Sequence, residues 1–92
     1  MNHRDNMFDQ LSQVIESAGK DDPNYDNFKK AEDILDVLEG LLAYTIYTTC
    51  ESTDHVRDAC EESYINIKRQ ALRLMYKELE DEKLGSPSPS VQ

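Results

Sequence analysis

The side chains best equipped for chemistry stand near the middle of the chain. They are Cys50, His55 and Cys60, with Glu51 and Asp54 beside them. Thiolate and imidazole are zinc ligands, and a bend between residues 50 and 55 would let three such groups converge with a carboxylate as a fourth. The spacing is no zinc signature, since the chain has neither a Cys-x-x-Cys nor a His-x-x-x-His pair. Cys60 falls on an apolar helical stripe, where a free thiol packs as a small hydrophobe, and His55 falls in an exposed first turn. No metal and no cofactor is expected. A metal or small-molecule sensor at the bend is kept as an alternative. The three glycines, Gly19, Gly40 and Gly85, are too far apart to form a phosphate-cradling loop. With no catalytic constellation, the chain reads as a non-enzyme.

Charge offers two further groupings. Arg69, Arg73 and Lys77 recur every four residues and so line one side of a helix. They are expected to form an ion-pair seam with Asp26, Glu32, Asp33 and Asp36, which would fix an antiparallel register, in preference to a nucleic-acid contact. The carboxylates of Asp26, Glu32, Asp33, Asp36 and Glu39, and then of Glu51, Asp54, Asp58, Glu61 and Glu62, form the opposite pattern, a series of acids along a helical body. Such a series could imitate the phosphates of a duplex and occupy the cationic groove of a nucleic-acid enzyme; its plain counterpart is a solvated, solubilising face. Tyr44, Tyr47 and Tyr64, with Ile46, add an aromatic cluster suited to protein recognition, because a tyrosine ring buries area while its hydroxyl stays hydrogen-bonded; its plain counterpart is filler for the core.

The elements that must position these groups follow from periodicity. Met7, Phe8, Leu11, Val14, Ile15 and Ala18 predict a short first helix over about 6–18, capped by Asp5 or Asn6 and ended by Gly19. Asp22-Pro23 predicts the start of a second helix over about 23–50, with Phe28, Ile34, Leu35, Leu38, Leu41, Leu42 and Ile46 on its apolar side. The β-branched run from Tyr44 to Cys50 weakens helical propensity there, yet a lone strand would lack a partner, so helix is the reading. The turn Glu51-Ser52-Thr53-Asp54 leads to a third helix over about 54–84, with Val56, Cys60, Tyr64, Ile67, Ala71, Leu74, Met75 and Leu79 as its stripe. Segment 85–92, rich in Ser and Pro, buries nothing and reads as a disordered tail.

The predicted architecture is all-α: a short helix plus a long antiparallel helical hairpin in one domain, 1–84, paired as a dimeric helical bundle. Length argues for the pairing, because 92 residues bury a modest core and the short first helix cannot cover the groove of two long ones. Cys50 and Cys60, staggered by ~7 Å along the hairpin at about 1.5 Å per residue, are expected to stay reduced and partly buried.

Composition bounds the function. Nineteen acids against ten bases give a net charge of −9, which disfavours direct contact with nucleic acid or anionic lipid. The imbalance is confined to residues 1–66, with 15 acids and 5 bases, whereas residues 67–92 carry 4 acids and 5 bases. No apolar run reaches the roughly 20 residues of a membrane span, and the first residues lack a signal-peptide core, so a cytoplasmic location is expected. The leading expectation is a small acidic regulator or inhibitor that binds a protein partner through the hairpin, as a homodimer. The contact surface is placed at Tyr44, Ile46 and Tyr47 and at Asp33, Asp36, Glu39, Asp58, Glu61 and Glu62. A DNA-mimic inhibitor of the anti-restriction or anti-defence type is the second expectation.

Overall fold

In the computed structural model, which describes residues 2–85 and side chains to Lys83, three α-helices and no strand occur among the described residues. α1 is His3–Ser17, α2 is Asn27–Thr49 and α3 is Thr53–Gly85. Two compact units divide the chain, Met1–Thr45 and Ile46–Gln92, so that α2 ends a few residues into the second. Of the segment 85–92 read from the sequence as a tail, Gly85 is the last residue of α3 and 86–92 lie outside the described residues.

Local chemistry sets each helix boundary. α1 starts earlier than periodicity predicts because Asn2 is its cap: its Oδ1 accepts from the Asp5 amide at 2.8 Å. The helix closes with the Ala18 amide donating to Val14 and Ile15, and Gly19 follows at φ +72°. That left-handed backbone favours glycine, and here the need is doubled. A Cβ on residue 19 would overlap the ring of Tyr25.

α2 begins four residues later than the Asp22-Pro23 signal implies. Asp22 caps a turn instead, its Oδ1 accepting from Asn24 at 2.9 Å, while Asp26 serves as the helix cap by accepting from Lys29 at 2.8 Å. Each cap removes an unsatisfied amide and stabilises by about 1 kcal/mol. Two acids thus compete for the same role, and the later one wins because the intervening turn delivers Tyr25 to Gly19. The β-branched end of α2 stays helical through Thr49. Thr45 Oγ1 donates to the Leu41 carbonyl at 2.8 Å, so this hydroxyl bonds back onto its own helix.

Three residues, Cys50, Glu51 and Ser52, link α2 to α3. Ser52 caps α3, its Oγ accepting from His55 at 3.1 Å, and the first helical bond runs from Val56 to the Ser52 carbonyl.

Burial is sparse in both units. In the first, Ile15, Tyr25, Lys30, Asp33, Ile34 and Leu42 are half-buried. In the second, Ile46 is buried and Cys50, Val56, Ala59 and Ser63 are half-buried. Ile46 is the one buried hydrophobic among the described residues. Leu35, Leu38 and Leu41, expected in the core, are exposed. The stripe expected on α3 is displaced as well: Val56, Ala59 and Ser63 turn inward, whereas Cys60 and Tyr64 do not. Both thiols are free, but Cys60 is exposed and only Cys50 is half-buried. From Tyr64 to Lys83 every residue of α3 is exposed.

Candidate protein-interaction surface

In the first unit the polar groups hold one another in place. The Tyr25 hydroxyl donates to Asp33 Oδ2 at 2.6 Å, and Lys29 Nζ lies 3.2 Å from Asp33 Oδ1, one turn away on α2. The cation and the hydroxyl stabilise the carboxylate, so the Asp33 pKa is lowered by the Tyr25 hydrogen bond first and by Lys29 second. Reciprocally, the Tyr25 hydroxyl, bonded to an anion, is pushed up to about 12, and Lys29 is raised by the same carboxylate. Lys30 completes the arrangement by donating to the Glu16 carbonyl at 2.9 Å, where the carbonyl end of α1 attracts a cation. Asp33 is therefore committed within its own unit. Asp36, Glu39 and Tyr44 of this unit are exposed.

In the second unit the named residues separate into two roles. Ile46, expected on the contact surface, is only 8% exposed and serves the interior instead. Tyr47 is 73% exposed, and Asp58, Glu61 and Glu62 are exposed on α3. No group of three His, Cys, Asp or Glu side chains among the described residues could hold a metal ion, so Cys50, His55 and Cys60 are not brought together as ligands.

The ion pairs among the described residues are Arg4–Asp5, Lys29–Asp33 and Arg57–Asp54, each within one unit and all local in sequence. Arg69 Nη1 is 3.5 Å from Asn66 Oδ1, and Lys68 Nζ lies 5.9 Å from the centroid of the Tyr64 ring. Arg73 and Lys77 have no carboxylate within ion-pair distance among the described residues of their unit. With Arg69, Leu72, Tyr76 and Glu80 they line a shallow depression on α3.

A second apolar stripe on α3 is absent from the sequence reading. Ile65, Leu72 and Leu79 are seven residues apart, with Tyr76 between the last two. At 3.6 residues per turn these four lie within about 60° of one another, on the side of the helix away from Val56, Ala59 and Ser63. Asp58, Glu61 and Glu62 lie on the same side, one to two turns before Ile65. The signal that would have found this face is the strict spacing of seven, the mark of a helix that packs against another along its length.

No helix among the described residues is long and apolar enough to cross a membrane. The chain has no significant match among protein-family models, curated proteins or solved structures.

Proposed function

We propose that this protein is a small, non-enzymatic regulator or inhibitor that acts in the cytoplasm by binding another protein, and that it does so as a homodimer with α2 and α3 folded back as an antiparallel hairpin. One observation carries the reading. Nineteen large hydrophobic side chains are exposed among the described residues, against one that is buried, and they recur along helices instead of being scattered. Surface of this kind is retained where a macromolecule covers it. Tyr44 and Tyr47 are the proposed anchors, with Asp36, Glu39, Asp58, Glu61 and Glu62 as a solvated polar rim that contributes little to affinity.

The test is binding by the full chain and by Tyr44→Ala and Tyr47→Ala variants at two ionic strengths. The expected result is a protein partner retained by the parent chain, lost with either tyrosine variant, and little affected between about 0.1 and 0.5 M salt. Binding that survives both substitutions would reject the anchors. Binding that collapses with salt would instead favour the DNA-mimic reading, in which the exposed carboxylates make the contact.

A further inference from the structure

We infer that the exposed half of α3 is a self-association face, and that it pairs antiparallel with the same segment of a second copy. The inference rests on the homodimer reading above and assigns it a surface and an orientation. Its apolar element is Ile65, Leu72, Met75, Tyr76 and Leu79, each between 44% and 63% exposed.

Charge identifies the occupant. Lys68, Arg69, Arg73 and Lys77 precede Glu78, Glu80, Asp81 and Glu82, with no acid among the first group and no base among the second. A helix with this order is complementary to itself only when reversed. Pairing centred on Met75 and Tyr76 sets Leu72 across from Leu79, Arg73 across from Glu78 and Arg69 across from Glu82. Parallel pairing would set bases beside bases and acids beside acids. The helix dipole supports the same arrangement. Asp81 and Glu82, close to the carboxyl end of α3, oppose its partial negative charge, with Lys83 as the one cation of the last turn. Cations from a second, reversed copy offset that opposition, whereas an apolar partner would not.

The experiment compares dissociation constants by sedimentation equilibrium for the full chain under reducing conditions. Three charge variants are used: Lys68→Glu/Arg69→Glu/Arg73→Glu, Glu78→Lys/Glu80→Lys/Glu82→Lys, and the chain carrying both sets. Each single set is expected to weaken the dimer by about tenfold or more. An equimolar mixture of the two, and the doubly reversed chain, should recover it. Orientation is read separately in a Cys50→Ser/Cys60→Ser background, where Met75→Cys should oxidise to a cross-linked dimer and Lys83→Cys should not. Equal cross-linking at both positions would overturn the antiparallel arrangement. A dimer indifferent to every reversal would overturn the face while leaving self-association standing. A monomer at all concentrations would overturn both.

Discussion

Gly19 carries the most exacting requirement of any single residue. Its φ of +72° disfavours an L side chain, and the ring of Tyr25 fills the space a Cβ would need. Gly19→Ala is therefore expected to cost roughly 2 kcal/mol or more, since neither the backbone nor the ring can yield without breaking the Tyr25–Asp33 bond. A urea midpoint unchanged from the parent chain would contradict this. The same bond makes a titration prediction. With its pKa raised to about 12, Tyr25 contributes stability fully present below the ordinary tyrosine value and lost as pH climbs through about 12. Asp33, with its pKa lowered, contributes stability present above the ordinary carboxylate value and lost as pH falls through the lowered one. Tyrosinate absorbance should show a late step near pH 12 that disappears in Tyr25→Phe. The Gly19 stop was legible in the sequence, because glycine after a periodic apolar run is a strong signal. Its partnership with Tyr25 was not, as it depends on a turn six residues long.

Among the elements, helix identity was easier to read than helix phase. All three helices announce themselves by spacing, and the Ser52 cap lies where a short hydroxyl precedes a charged first turn. α3 resisted a further reading because apolar residues occupy two of its sides. Periodicity then selects a stripe through Cys60 and Tyr64, although Ala59 and Ser63 are the positions that turn inward. The late start of α2 has a similar origin, for Asp22 and Asp26 are equally good caps and only the Tyr25 contacts separate them. Gly40 stands in the interior of α2. A Cβ there would meet nothing within 4 Å, so the glycine only loosens α2. Gly40→Ala should stabilise by about 0.5–1 kcal/mol by restricting the unfolded chain and favouring the helix. Thermal unfolding that moved to a lower temperature would indicate an intermolecular contact at this position.

For the molecule as a whole, the exposed half of α3 poses an energetic problem that neither caps nor local ion pairs resolve. Residues 64–83 form about five and a half turns with no buried or half-buried side chain. An isolated helix of this length is marginal in water, because nucleation is unfavourable and propagation gains little where β-branched and aromatic residues recur. Ile65, Ile67, Tyr64 and Tyr76 are of these types. The helicity of this segment should therefore depend on association, and hence on concentration, in a way that the capped first turns of α3 do not. Amide hydrogen exchange at two protein concentrations, about 1 μM and 100 μM, separates the two regions. Protection across residues 64–83 is expected to rise with concentration, while that of residues 55–60, held by the Ser52 cap and by the half-buried Val56 and Ala59, changes less. If protection across 64–83 were strong and the same at both concentrations, in a chain that sediments as a monomer, the helix would have a source of stability other than a second copy, and its apolar face would be free for another protein.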